Sequence, residues 1–420
     1  MEVVLFAVYL LLFCWCVTAT RFFRNSGLSR FQLMVLFLLK VAMGVAYGWI
    51  NWFDGAQPGQ TDTWALHAES LKETKILLTS PVRAITSFFY NPYTNSFGSL
   101  FASSDSYWNN LKNNTYIRIE SLFNCFSFGS YFINIIFYSF LTFFGVVAVY
   151  RVMRHHLQGS RLLLLIGCFL VPSFLYWTSG LHKDGLTFLA LGTIIYILYF
   201  RTGKRRPVAS YLLLPAALLL LFALRNHILL VLLPALICWI LATRFPRQRL
   251  WIFAAVYLLG GVFFFTAKYL WPALDFPAIV LSKQEAFNHT GGGSSLTVSR
   301  LRPDFAGFMQ QLPGAISRSA FRPFVSDLKK PVIYPAFIEL LLTGCCILLF
   351  LFFPRKKTFR PFSLFLLVFA FSILLMIGYT VNNLSAVVRY RSILFPLILP
   401  PVLLGTDWKK LARKLNIKIN

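Results

Sequence analysis

Every second connector between the long apolar segments of this 420-residue chain is short and densely basic. These connectors are 21–30, 151–161, 201–207, 244–249, 354–360 and the tail 408–420. Together they hold 22 of the 40 lysines and arginines and no acidic residue. Short basic loops beside apolar spans stay in the cytoplasm, so the alternation orients every segment. A span needs roughly 17–25 predominantly apolar residues. Eleven segments qualify: about 3–20, 31–50, 131–150, 162–178, 185–200, 208–224, 228–243, 250–271, 332–353, 362–380 and 392–406. With the N-terminus outside and the C-terminus in the cytoplasm, each basic connector falls inside. The fold class expected is therefore an all-α polytopic membrane protein, residues 1–420 forming a single transmembrane domain.

A mean hydropathy of +0.66 with 13% charged residues excludes an ordinary soluble domain. The net charge of +26 sits mostly in the inner loops, which argues against nucleic acid as a partner and for anionic membrane lipid. The first twenty residues carry Glu2 where a signal peptide has its positive region. Six of the seven cysteines lie within spans and Cys125 stands alone outside, so neither a disulfide framework nor a metal spacing is present.

Inner loops are too short to build a site, so any chemistry belongs to the outer face. Two outer segments are long, 51–130 and 272–331. Amphipathic helices are expected in both, and the run Gly291 to Ser295 reads as a flexible element of the second. A helix predicted to begin at Thr61 or Asp62 and stop before Pro81 places Asp62, Glu69 and Glu73 on one face. Asp62 is a candidate catalytic carboxylate with His67 nearby, and equally a helix cap.

The stretch Trp177 to Gly185 is the most unusual. Pro172 and two glycines break its apolar run, and His182, Lys183 and Asp184 stand together between two spans. Unwound backbone at that depth is tolerated only where it is buried in protein or lines a wet cavity. Arg225 and His227 turn between two apolar segments on the outer face, and Arg389 and Arg391 flank Tyr390 before the last span. Guanidinium groups recognise phosphate in a bidentate way that lysine does not reproduce. Arg318 and Arg322 add charge to the second outer segment. Lys40 and Glu339 lie within spans, where a charge costs about 2.5–3.5 kcal/mol on insertion scales; they are functional candidates or a neutralising pair. No metal is called for, since the outer histidines His67, His182, His227 and His289 lack the spacing of a known site.

The chain resembles polytopic bacterial surface-polysaccharide proteins, namely C-type glycosyltransferases and O-antigen-polymerase-like proteins. The resemblance rests on Thr61 to His67 in the first outer segment, on Pro172 with Trp177 to Gly185, and on Arg389-Tyr390-Arg391. It implies that Asp62 is the catalytic base and that Arg225, Arg389 and Arg391 hold a polyprenyl diphosphate. The acidic loop of C-type enzymes usually follows the first span, whereas here it follows the second.

These readings converge on a membrane glycosyltransferase or oligosaccharide polymerase acting on the outer face of the bacterial cytoplasmic membrane. An outer-face transferase has no access to nucleotide sugars, so its donor arrives on a lipid carrier. Catalytic candidates are Asp62, His67, His182 and Asp184; candidates for the carrier phosphate are Lys183, Arg225, His227, Arg322, Arg389 and Arg391. Expected partners are a lipid-linked sugar or oligosaccharide, membrane lipid and other polysaccharide-assembly proteins, with no cofactor. A transporter or flippase of lipid-linked glycans is the alternative, using Lys40 and Glu339. A peptidase built on Cys125 is a third class.

Overall fold

The computed structural model describes residues 1–54, 59–93, 106–200, 209–289, 295–296, 298–329, 333–355 and 360–414. Connector 201–207, the centre of connector 354–360, residues 291–294 of the glycine-rich run and the end of the tail lie outside the described residues.

The described chain is all-helical apart from two isolated β-bridges. In order, the helices are α1 (Glu2–Ala19), the single turn α2 (Arg21–Arg24), α3 (Arg30–Phe53), α4 (Asp62–Thr79), α5 (Pro81–Thr86), α6 (Tyr107–Ser127) and α7 (Tyr131–His156). Next come α8 (Arg161–Phe169), α9 (Pro172–Ser179), α10 (Lys183–Tyr199), α11 (Ala209–Arg244), α12 (Arg249–Leu270), α13 (Phe276–His289) and α14 (Phe305–Ile316). The last are α15 (Tyr334–Phe352), α16 (Pro361–Thr380), α17 (Leu384–Ser392), α18 (Phe395–Gly405) and α19 (Trp408–Lys414).

Among the described residues seven helices are long and apolar enough to cross a membrane, or nine elements if each of two bent pairs is one span. The chain is thus a multi-pass membrane protein. Ten of the eleven apolar segments read from the sequence fall on these nine elements. The eleventh is α10, whose 17 residues are slightly short. Segments 208–224 and 228–243 both fall within α11, where only Arg225 leaves the helical region (φ −151°, ψ 68°). The segment at 162–178 is α8 plus α9, bent by 48°. Pro172 opens α9, a position that needs no N–H and cannot continue the preceding helix. The last apolar segment, 392–406, falls mainly on α18, which follows α17 after a bend of 62°.

Contacts group into two compact units. Among the described residues the first comprises 1–93, 106–155 and 174–226, and the second comprises 156–173 and 227–414. In the first unit α7 is central, 72% of its apolar window being buried, while α1 at 11% presents an apolar surface suited to lipid. Gly145 on α7 and Gly192 on α10 bring two backbones together: a Cβ on Gly192 would lie 2.5 Å from the Gly145 carbonyl oxygen. The first long connecting segment supplies α4 and α6, which pack on each other. In the second unit α18 is almost wholly buried and α16 about half so, and α14 packs on α16 through Phe308, Ala315 and Tyr379.

Candidate functional site

The break between α9 and α10 assembles most of the charged candidates of the first unit. His182 is the N-cap of α10, in an extended conformation, and its Nδ1 accepts the Lys183 backbone N–H at 2.8 Å. Asp184 follows in the first turn, where a negative charge complements the helix dipole. Its Oδ1 accepts from the Arg225 guanidinium at 3.0 Å, and the side chains are 4% and 10% exposed. Arg225 reaches it from the one non-helical residue of α11. Asp184 Oδ2 lies 3.6 Å from His182 Nδ1, but that nitrogen already accepts a backbone N–H, so it carries no proton and the contact is not an ion pair. The lone pair a base would use is likewise engaged. Lys183 Nζ donates to Asn113 Oδ1 on α6 at 2.6 Å. Tyr138 donates to the His182 carbonyl, and Thr63 donates to the Leu181 carbonyl at 2.7 Å. Gly185 is required here, because a Cβ would lie 2.5 Å from the Thr178 carbonyl oxygen.

A buried polar seam runs from this corner between α4, α6 and α7. On α4 it consists of Thr63, His67, Ser70 and Thr74; on α6 of Tyr116, Glu120, Asn124 and Ser127; on α7 of Tyr131 and Asn134. His67 Nδ1 is 2.7 Å from Glu120 Oε1. Asn134 Nδ2 lies 3.4 Å from the same oxygen and donates to Asn124 Oδ1 at 2.6 Å; Asn124 in turn donates to Ser70 and Thr74. Thr63 shares a hydrogen bond with the Tyr131 hydroxyl. Glu120 and Tyr116 are both buried, and the Glu120 carboxyl adjoins the Tyr116 phenol. Burial, then the adjacent Glu120 carboxylate, pushes the Tyr116 phenol well above its ordinary range. Sequence reasoning missed Glu120, Asn124 and Asn134. The available signal was the spacing 116, 120, 124, 127, which lines one face of a helix.

Of the three α4 carboxylates, Asp62 and Glu69 face outward, while Glu73 is half-buried against α6. Asp62 is exposed at the first helical position. Glu69 is exposed and pairs with Lys72, and Glu73 pairs with Arg118 at 2.8 Å. Thr61, the N-cap, makes no side-chain capping bond; its hydroxyl donates to the Asn51 carbonyl.

The two intramembrane charges serve helix ends. Lys40, 2% exposed, donates to the Thr178 carbonyl at 2.8 Å, at the C-terminal end of α9. Glu339, 7% exposed, accepts the Ser173 N–H and hydroxyl, each at 2.6 Å, at the N-terminal end of α9. A donor at the C-terminal end and an acceptor at the N-terminal end suit the backbone groups a helix leaves unpaired there. Each charge has its partners within its own unit, in place of the mutual pairing the sequence allowed.

In the second unit the arginines converge on the backbone. Arg391, 4% exposed, donates through one terminal nitrogen to the carbonyls of Ser319 (3.1 Å) and Arg322 (2.8 Å), holding the π-helical turn Ser317–Phe321. Arg318 donates twice to the Gly378 carbonyl, and burial with Arg322 nearby lowers its affinity for its proton. Arg322 pairs with Asp327 at 3.3 Å. Arg389 lies over the Tyr390 ring, and His227 is half-buried in α11. Cys125, alone on α6, donates to the Ser121 carbonyl. Among the described residues no three His, Cys, Asp or Glu side chains gather as metal ligands; the His289 side chain lies outside them.

The structure thus brings His182, Lys183, Asp184 and Arg225 together, sets His67 on Glu120, leaves Asp62 apart, and commits the Arg391 contacts to backbone. No family model, curated protein or solved structure matches the chain.

Proposed function

We propose that the chain is a glycosyltransferase or oligosaccharide polymerase of the bacterial cytoplasmic membrane, acting on the outer face with a polyprenyl-(di)phosphate-linked sugar. In this reading the chain crosses eleven times, with the N-terminus outside and 51–130 and 272–331 as outer loops. α10 and the two halves of α11 supply the crossings beyond the continuous and bent elements. The observation that carries the reading is the Asp184–Arg225 pair, set where α10 begins and α11 is interrupted.

A donor carried on lipid phosphate leaves negative charge on that phosphate when the glycosidic bond breaks. Fixed cations in a partly dry site stabilise that charge without reorganising. Arg225, oriented by Asp184, and Lys183, oriented by Asn113, are such cations. They take the role that the resemblance gave to Arg389 and Arg391 as well. The base is a buried group and not Asp62, which stands exposed with no bond to this corner.

The transporter reading needs the intramembrane charges along a polar path. Lys40 and Glu339 are instead spent on the ends of α9, which favours the transferase.

The test is glycan product formation in membranes supplied with lipid-linked oligosaccharide. Arg225→Lys at matched expression should lose product about 100-fold or more, since an ammonium cannot reproduce the guanidinium fork. Undiminished product in that variant removes Arg225 and the reading built on it.

A further inference from the structure

We propose that Glu120 is a positioning residue that holds His67 with its Nδ1 protonated and its Nε2 lone pair ready to take the acceptor's proton. The inference rests on the transferase reading above and names the base that reading requires.

A carboxylate only accepts hydrogen bonds, so the 2.7 Å contact assigns the proton to His67 Nδ1. A neutral imidazole so bonded presents a basic Nε2, the opposite of His182. Among the described residues no hydrogen bond reaches that nitrogen. Glu120 is anchored in turn: Asn134 adjoins its Oε1, and Asn134 bonds Asn124. The Tyr131 ring (5.3 Å) and Trp64 ring (6.0 Å) stand edge-on to the imidazole and set its plane. Of the pair, the imidazole keeps the access: 8% of its side chain is exposed against 1% for Glu120.

The pair is also in register with the charged corner. Thr63, one turn before His67 on α4, bonds the Leu181 carbonyl. Tyr116, one turn before Glu120 on α6, stacks near the His182 ring at 6.4 Å. Two helices therefore place the dyad about one turn, roughly 5.4 Å of axial rise, from residues 181–182. In the transfer the acceptor hydroxyl gives its proton to Nε2 while its oxygen bonds the anomeric carbon. The bond from that carbon to the phosphate oxygen breaks, and its electron pair leaves with the carrier phosphate.

The titratable groups facing His67 are Glu120 and Tyr131, with Tyr116 beside Glu120. The experiment compares full-length wild type with Glu120→Gln in vesicles holding polyprenyl-diphosphate-linked oligosaccharide. The expected result is kcat down about 100-fold or more, with KM for the donor unchanged. An unchanged kcat in the variant, with active wild type, overturns the dyad alone. Wild type inactive with every lipid-linked donor overturns the transferase reading and the base role with it. Nitrogen NMR of histidine-labelled wild type needs no variant to fold: His67 protonated at Nδ1 near neutral pH supports the assignment, and the Nε2–H tautomer overturns it.

Discussion

Asp184 and Arg225, 41 residues apart, meet at 3.0 Å because one helix starts and another is interrupted at the same place. Each depends on the other, since removing one partner of a buried ion pair strands the other charge. Such a loss costs roughly 3–5 kcal/mol. Asp184→Asn should therefore lower thermal stability markedly, and the double variant Asp184→Asn with Arg225→Gln should recover part of it. Unfolding of the purified single and double variants checks this coupling.

Lys40 should behave as a helix cap. Lys40→Met leaves the buried Thr178 carbonyl without this donor, at a cost of roughly 1–3 kcal/mol for an acceptor left unsatisfied. Glu339→Gln should cost a similar amount by weakening the bonds to Ser173. Thermal unfolding in detergent measures both. Neither variant should alter the passage of lipid-linked glycan across vesicles, whereas a transporter would lose it.

Arg391 sits in the motif that first suggested phosphate binding, yet its observed hydrogen bonds go to backbone carbonyls. Arg391→Lys should loosen the turn Ser317–Phe321. Hydrogen exchange over that turn should rise clearly, while the donor KM changes little. A large KM change with unchanged exchange would return Arg391 to the substrate.

The hydropathy pattern made the helices legible because apolar length is a local property, and the bends at Pro172 and before Phe395 follow from proline chemistry. The polar seam was harder to read. On α4, Asp62, Glu69 and Glu73 stand out as charges, yet Asp62 and Glu69 are solvated and Glu73 is half-buried on Arg118; the buried face carries Thr63, His67, Ser70 and Thr74. Glu120 sits among other polar residues, so only its helical spacing distinguishes it. The Asp184–Arg225 and His67–Glu120 pairs are long-range contacts, set by which helices pack together, which residue-by-residue reading does not contain.

Tyr116 links the seam to pH. Its folded phenol holds its proton beyond the ordinary range, while the unfolded one titrates near 10. Above that pH the unfolded state binds fewer protons, so stability falls as pH rises. The thermal midpoint should drop between pH 9 and pH 11, and drop less in Tyr116→Phe. Equal drops would place the loss elsewhere.

The most direct test of the account uses right-side-out vesicles with lipid-linked oligosaccharide in the outer leaflet and no nucleotide sugar. The account predicts elongated or transferred glycan on the outer side, dependent on Arg225 and retained in Asp62→Asn. Absence of product from wild type, with the lipid-linked glycan instead moving between leaflets, would contradict it.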